Sequence, residues 1–547
     1  MRNIGTPVSE WDQDEYSDNR AYMEDLLRQI EDQEAQIHQG GGPQRIERQH
    51  SKGRLTARER IDRLIDEGTW FTELSIFAAW GMYEEYGGAP ASGTITGIGI
   101  IEGKETVIVA NDATVKAGAY FEITLKKTLR AQEIALENNL PIVYLVDSAG
   151  VFLPLQDQVF PDEKHFGRIF FNNARLSAEG VTQIAAVMGP CVAGGAYLPV
   201  MCDKFIMVEG SSMFLAGPAL VKAAIGQDID EETLGGARTH NAISGTADYH
   251  EDDDESALER IREILRTIGA TDRAPLNVSE SRSPEFDSDE LNGIVSEDGA
   301  MYDMNEVIAR IVDGSEFNPY KDEYGKTVIC GHARIGGYSV GIVANQKRVV
   351  KSEIGQMQMG GVIYNDSADK AARFIMNCSQ DRIPLVFLHD VNGFMVGRDA
   401  EHEGIAKDGA KMVNAVSNAV VPKFTVVIGG SYGAGNYAMS GRAYDPRLVL
   451  AWPSARIAVM GGESAAKTLA QIRLARIENP TEEQRQKILD EVRGSYEEQS
   501  DPRYAAARLW IDAIIRPAET RKFLIRGLNM AIHQPKMPAP KFGVLQV

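Results

Sequence analysis

The sequence predicts an α/β fold built twice, and three observations carry that prediction. The first is a glycine-rich turn that occurs in two copies, Gly189-Pro190-Cys191-Val192-Ala193-Gly194-Gly195-Ala196-Tyr197 and Gly429-Gly430-Ser431-Tyr432-Gly433-Ala434-Gly435-Asn436-Tyr437. Each follows an apolar run with strand character, Gln183 to Met188 and Phe424 to Ile428, and each leads into small residues suited to a helix start. A strand, a glycine turn and a helix start bring free backbone N–H groups to one point, where an anion can be held. The second observation is that other blocks repeat in the same order. Pro141 to Gly150 matches Pro384 to Gly393, Gly97 to Asn111 matches Gly331 to Asn345, and Ile61 to Gly68 matches Ile308 to Gly314. Ala216-Gly217-Pro218 falls where Met460-Gly461-Gly462 does. A repeat this long marks two homologous domains rather than a solenoid of short units. The third is the alternation of short Val/Ile runs with helical stretches such as Leu125 to Asn138 and Lys370 to Asn377, the pattern of α/β architecture.

The elements then fall in order. Tyr22 to His38 reads as an amphipathic N-terminal helix. Residues 1–270 form the first domain and 301–547 the second. Residues 271–300 read as a linker, since Ser279, Ser281, Ser283-Pro284 and Asp287-Ser288-Asp289-Glu290 give boundary composition. The repeat offset rises from 234 residues (111 to 345) to 243 (141 to 384), so the second half carries about nine additional residues between Asn345 and Pro384. They lie near Val349 to Met359 and read as a loop or hairpin insertion. The acidic run His250 to Glu255 reads as a solvated turn or helix start.

Composition narrows the function. A chain of 547 residues exceeds one ordinary core, and 43% apolar residues suffice for full burial. A formal charge of −21 argues against a nucleic-acid protein. Cys191, Cys202, Cys330 and Cys378 are widely spaced with no CxxC pair, which excludes a zinc ribbon and a disulfide framework, and no metal is expected. No run approaches the ~18 apolar residues of a membrane helix. Glu10, Asp12, Asp14, Glu15 and Asp18 make the N-terminus unlike a transit or secretory segment, so a cytoplasmic location is expected.

Several motifs carry a family likeness. Gly53-Arg54-Leu55-Thr56-Ala57-Arg58-Glu59-Arg60, Asn111 to Lys116, His165 to Phe170, Leu215 to Lys222, Gly393-Phe394-Met395-Val396-Gly397, Gly404 to Lys411 and Trp452 to Arg456 resemble the carboxyltransferase (β) subunit of biotin-dependent acyl-CoA carboxylases. The likeness runs from about Gly53 to the C-terminus. Tyr432 to Tyr437 and Gly461-Gly462-Glu463 are similar to the methylcrotonyl-CoA group within it. Departures from that group are Ser148-Ala149-Gly150-Val151, where it has Ser-Gly-Gly-Ala, the pair His389-Asp390, and the Val349–Met359 insertion.

The resemblance implies tandem duplicated crotonase-like domains, the N-terminal one for acyl-CoA and the C-terminal one for carboxybiotin, in a hexamer built from two trimers. It implies transfer of CO2 from carboxybiotin to an acyl-CoA enolate, with 3-methylcrotonyl-CoA as the first substrate to consider and propionyl-, geranyl- or another acyl-CoA as alternatives. Such a reaction has two oxygens whose negative charge must be held, and preorganised donors are often the largest catalytic contribution. On that basis Gly194 and Gly195 serve the thioester oxygen, with Gly150, Val151 and Phe166 lining the acyl side. Ala434 and Gly435 serve the biotin ureido oxygen, with Gly393 and Phe394 nearby. Lys52, Arg54, Arg58 and Arg60 are candidates for the coenzyme A phosphates or, equally, for salt bridges on a helix surface. Lys222 and Lys467, a repeat pair, read as structural. His389 beside Asp390 admits an acid–base role but reads better as a strand-end histidine bonded to its neighbours. The chain lacks the Ala-Met-Lys-Met biotin-acceptor sequence and a nucleotide domain, so a biotin carboxylase/biotin carboxyl carrier partner is implied. The CoA-binding subunit of a biotin-dependent decarboxylase of glutaconyl-CoA type, and a non-catalytic acyl-CoA scaffold, are the other readings.

Overall fold

A computed structural model of the chain describes residues 1–269, 272–352, 355–475, 477 and 481–546, with only the backbone of residues 463 and 464. It divides into two compact units. The N-terminal unit is Asp32–Asp272 with Ala506–Leu509, and the C-terminal unit is Met1–Glu31 with Arg273–Ala505 and Trp510–Val547.

Each unit is built on one mixed sheet, and the two sheets have the same strand order. In the N-terminal unit the order is Phe71–Leu74, Thr94–Ile101, Lys104–Asn111, Ile142–Ser148, Gln183–Val192, Lys204–Val208 and Tyr249–Glu251, with Ser212–Phe214 paired to the far end of Gln183–Val192. The C-terminal unit repeats it as Glu316–Pro319, Val328–Ile335, Tyr338–Asn345, Leu385–Val391, Lys423–Tyr432, Leu448–Ala451 and Ala513–Ile514, with Arg456–Ala458 paired to Lys423–Tyr432. The first strands pair antiparallel, Thr94–Ile101 with Lys104–Asn111 and Val328–Ile335 with Tyr338–Asn345 through two-residue turns, and the later ones run parallel with helices between them. Parallel strands covered on both faces read as unbroken apolar runs. Ile142–Ser148 and Leu385–Val391 are buried at every position.

The duplication reaches single side chains. Thr124 Oγ1 accepts the Phe121 N–H at 3.0 Å at the start of helix Glu122–Asn138, and Ser367 Oγ accepts the Tyr364 N–H at 2.8 Å before helix Asn365–Gln380. One turn on, buried Lys127 donates to the Ala91 carbonyl and buried Lys370 to that of Gly325. Burial pushes the Lys127 ammonium down to about 7, since a low dielectric disfavours the charged form.

The sheet carries one irregularity, and it too occurs twice. Along Ile142–Ser148 and Gln183–Val192 the register runs evenly to Val146↔Val187 and resumes at Ser148↔Cys191. Along Leu385–Val391 and Lys423–Tyr432 it runs to His389↔Val427 and resumes at Val391↔Ser431. The longer strand bulges, and the opposing residues, Asp147 and Asp390, turn their carboxylates under the bulge. Only glycine admits them. A Cβ on Gly189 would lie 2.0 Å from Asp147 Oδ1, and one on Gly429 2.6 Å from Asp390 Oδ2.

At its ends the observed division differs from the one drawn on composition. Of the stretch read as a linker, residues 273–300 pack into the C-terminal unit, where Leu291, Ile294 and Val295 are buried and Ser279 bonds the Gly337 carbonyl. Its polar residues cap turns, as Asp287 does for Asp289. Ala270 and Thr271, where the boundary was drawn, lie outside the described residues. The first 31 residues also join the C-terminal unit. Arg2–Asn3 pairs with Glu316–Phe317, and Arg310 donates to the Thr6 carbonyl and lies over the Trp11 ring. Periodicity shows that a terminal helix is amphipathic but not which core receives it. The insertion forms a hairpin, Val350–Lys351 paired with Met357–Gln358; Glu353 and Ile354 lie outside the described residues.

Gly189→Ala should therefore destabilise the chain by ~1–3 kcal/mol, the usual cost of overpacking. Gly167→Ala, at a helical position with open space around it, should stabilise by up to ~1 kcal/mol. Chemical denaturation of both variants checks the pair.

Candidate functional site

In the N-terminal unit the strand Gln183–Val192 leaves its bulge, and Ala193 follows in the left-handed region at φ +57. That conformation costs an L-residue roughly 1–2 kcal/mol, and such strain is concentrated at functional sites. Gly194 and Gly195 come next, and a Cβ on either would meet nothing within 4 Å. The two turn residues therefore face an open cradle. Tyr197–Val200 begins a helix directly behind them.

The other acyl-side residues gather here. Gly150, at φ +86, approaches the turn so closely that a Cβ would lie 3.1 Å from the Val192 carbonyl. Its own carbonyl accepts the Tyr120 N–H at 2.8 Å, and Val151 bridges to Tyr120. Tyr120 packs on Phe166 with ring centroids 4.8 Å apart. Phe166 packs on Phe170 at 5.4 Å, and Phe170 on Tyr197 at 5.8 Å. This aromatic row joins the Gly150–Val151 loop to the residue behind the turn.

The C-terminal unit repeats the arrangement with other residues. The left-handed position holds Gly433 at φ +52, free of the strain carried by Ala193. Ala434 is exposed and Gly435 is buried, and a Cβ on Gly435 would lie 2.6 Å from Val391 and 3.4 Å from the Gly393 Cα. Gly393–Phe394 forms a short strand with Val362–Ile363, and Phe394 packs against Gly409. Gly393 at φ +135 and Gly397 at φ +112 have open space where a Cβ would stand.

The basic candidates separate. Arg54 is half-buried and donates to the Gly210 carbonyl at 2.7 Å. Arg58 is ion-paired with Glu73, its Nη2 2.9 Å from Oε1. Arg60 is 1% exposed and turns inward, 2.8 Å from Asp254 and 3.1 Å from Asp147, away from any phosphate in solvent. Lys52 is exposed, and Lys222 pairs with Asp228 at 2.8 Å. The Glu463 side chain lies outside the described residues.

The sequence model of the carboxyl transferase domain matches residues 48–545. The chain belongs to the carboxyl transferase family. It is an enzyme subunit, the carboxyltransferase β subunit of a biotin-dependent acyl-CoA carboxylase, with the tandem crotonase-like fold that the motifs implied. Over 504 residues it is 51% identical to the biotin-dependent 3-methylcrotonyl-coenzyme A carboxylase beta1 subunit of Mycobacterium tuberculosis, covering 90% of this chain and 92% of that one. Over 543 residues it is 47% identical to the methylcrotonoyl-CoA carboxylase beta chain of Dictyostelium discoideum, covering 97% and 89%. Among solved structures, the beta subunit of P. aeruginosa geranyl-CoA carboxylase superposes with a TM-score of 0.86 at 36% identity over 100% of both chains. Among the described residues of this carboxyltransferase, no helix is long and apolar enough to cross a membrane.

Sequence reasoning passed over what holds each turn in place. In the carboxyltransferase's C-terminal unit a polar chain runs beneath the turn. Asn436 Nδ2 donates to Ser431 Oγ at 2.8 Å, Ser431 lies 3.0 Å from His389 Nδ1, and His389 Nε2 lies 2.5 Å from the Met439 carbonyl. The carbonyl can only accept, so Nε2 carries the proton and Nδ1 accepts from Ser431. His389 is thus the bonded strand-end histidine, buried away from any substrate. The matching positions in the N-terminal unit are the buried Val146, Cys191 and Ala196. The signal was present in the sequence as three coordinated changes between the repeats.

Burial pushes the His389 imidazole down to about 4. Between pH 6.5 and 4 the unfolded chain binds a proton that the folded one does not. The associated stability is full above pH 6.5 and is lost as pH falls toward 4, to the extent of about 3 kcal/mol. Denaturation of wild type and His389→Gln across that range should show the steeper decline in wild type.

Proposed function

We propose that this carboxyltransferase carboxylates 3-methylcrotonyl-CoA or a related branched enoyl-CoA, using carboxybiotin carried by a partner chain. The open cradle at Gly194–Gly195, lined by the Gly150 loop and the Phe166 row, carries the reading. The N–H groups of Gly194 and Gly195 donate to the thioester oxygen and hold the charge that builds there as a proton leaves the acyl chain. Gly150, Val151 and Phe166 wall the acyl group. Arg54, whose guanidinium is not committed to a carboxylate, is the candidate for a coenzyme A phosphate.

On the other turn, the N–H groups of Ala434 and Gly435 donate to the biotin ureido oxygen, and Gly393 and Phe394 border the ring. The open space at Gly393 and Gly397 is what a flat bicyclic group needs to approach the backbone. Carboxybiotin, when bound, supplies the carboxyl group and the base, so the chain needs no proton acceptor of its own at the acyl carbon. The proposed assembly is a hexamer of two trimers with a biotin carboxylase/biotin carboxyl carrier subunit.

A longer acyl chain is the second reading, favoured by the full-length superposition on the geranyl-CoA carboxylase subunit. The chain purified with its biotinylated partner should fix labelled bicarbonate onto 3-methylcrotonyl-CoA in preference to propionyl-, geranyl- and glutaconyl-CoA. Fixation on none of them would end the carboxylase proposal, and a different preferred thioester would replace the substrate. Gly195→Val keeps its N–H and meets no neighbouring atom at its Cβ, so it should leave assembly intact while its methyl groups occupy the space in front of the turn, keep the thioester oxygen from its donors and lower transfer by ~10²–10³, as losing an oxyanion donor does. Steady-state rates on the intact complex decide this.

A further inference from the structure

We propose that Lys347, Tyr302 and Asp390 form a positioning clamp that fixes the carboxyl-donor turn and ties it to the base of the Val349–Met359 hairpin. The inference rests on the reading above that the C-terminal turn faces biotin. It assigns the hairpin to the donor side of the reaction rather than to the acyl pocket.

Asp390 is 3% exposed, and both its oxygens are engaged. Oδ1 accepts from Lys347 Nζ at 2.6 Å and from the Gly430 N–H at 2.9 Å, while Oδ2 accepts from the Tyr302 hydroxyl at 3.0 Å. Gly430 stands in the bulge from which the chain runs directly into Gly433, Ala434 and Gly435. The carboxylate is therefore the fixed point from which the turn is built. A charge so buried keeps its place only while its partners remain.

The matching Asp147 is held differently. Its cation is Arg60, from the helix Ala57–Leu64. In the repeat Arg60 corresponds to Val307, which is apolar, and Lys347 corresponds to Ala113. The C-terminal unit has lost the helix cation and gained one at the end of strand Tyr338–Asn345, where the chain departs into the hairpin. The excursion returns to the same point. A Cβ on Gly360 would lie 1.9 Å from the Lys347 carbonyl, so only glycine closes the base. The Gly361 N–H donates to the Gln346 carbonyl at 2.8 Å, and its own carbonyl accepts the Asn392 N–H at 2.6 Å. Gln346 also donates to Asp303 at 2.7 Å, and Arg348 pairs with Asp303 at 2.8 Å. Hairpin base, clamp and the Gly393 strand are one bonded corner.

The test uses the complex with its biotin-bearing partner and the variants Tyr302→Phe, Lys347→Met and Lys347→Arg. Carboxyl transfer is run from the carboxylated acyl-CoA to free biocytin, giving kcat and KM for biocytin, and acyl-CoA affinity is measured by calorimetry. Misplacing a reacting group by about 1 Å costs ~10² in rate. Lys347→Met should therefore lower kcat/KM for biocytin ~100-fold and Tyr302→Phe ~10-fold. Lys347→Arg should recover most of the loss, and acyl-CoA affinity should stay within about twofold throughout. Unchanged biocytin kinetics in an assembled variant would overturn the clamp, as would an equal loss of acyl-CoA affinity. If Lys347→Met fails to assemble, Tyr302→Phe, which removes one hydroxyl, decides alone. A wild-type complex that transfers to no biocytin from any carboxylated thioester would overturn the proposed function itself, a result distinct from an active wild type with indifferent variants.

Discussion

Each unit depends on one buried carboxylate set beneath a glycine bulge. Asp147 and Asp390 stand one residue before the end of the middle strand of their sheets, and the neighbouring strand must bow over them before it can resume pairing. The bow sends the strand out of the sheet at the point where the turn begins. A side chain at Gly189 or Gly429 would collide with the carboxylate, and an unpaired carboxylate would be too costly to bury. Glycine, aspartate and a cation are thus mutually required, and the placement of the turn's backbone N–H groups is a consequence of their agreement.

The two copies keep the carboxylate and change its surroundings. In the N-terminal unit Arg60 links Asp147 to Asp254, and the trio beneath the turn is Val146, Cys191 and Ala196. In the C-terminal unit Lys347 and Tyr302 hold Asp390, and the trio is His389, Ser431 and Asn436. A duplicated scaffold can exchange partners in this way because the backbone hydrogen bonds of the sheet, common to both, set the frame. The backbone amide of each aspartate even meets the same asparagine, Asn111 or Asn345. Divergence falls on the side chains that set how firmly each turn is held and what borders it.

Much of the candidate site was legible because it is made of backbone. Gly194, Gly195, Ala434 and Gly435 declare themselves by composition and by recurring in register. Gly150 and Gly393 follow from the same repeat. The basic residues were harder to read. Arg54, Arg58 and Arg60 look alike in the sequence, yet one bonds a carbonyl, one pairs with Glu73 and one is buried between two aspartates. Arg54 precedes the helix Ala57–Leu64, and within that helix Arg58 and Arg60, two positions apart, point about 200° from each other, so each meets different surroundings, and charge alone does not say which.

From the sequence alone came the α/β class, the duplication, the two turns, the insertion and the family, because periodicity, glycine spacing and repeated motifs are local properties of the chain. Only the tertiary structure decided that the first 31 residues and residues 273–300 pack with the C-terminal unit, that His389 is a buried support, and that Lys347 reaches Asp390. Each of these joins residues tens or hundreds of positions apart, or depends on burial. Local pattern carries no record of which distant surface a side chain will meet, and it is that meeting which sets the charge, the hydrogen bonds and the position of the turns.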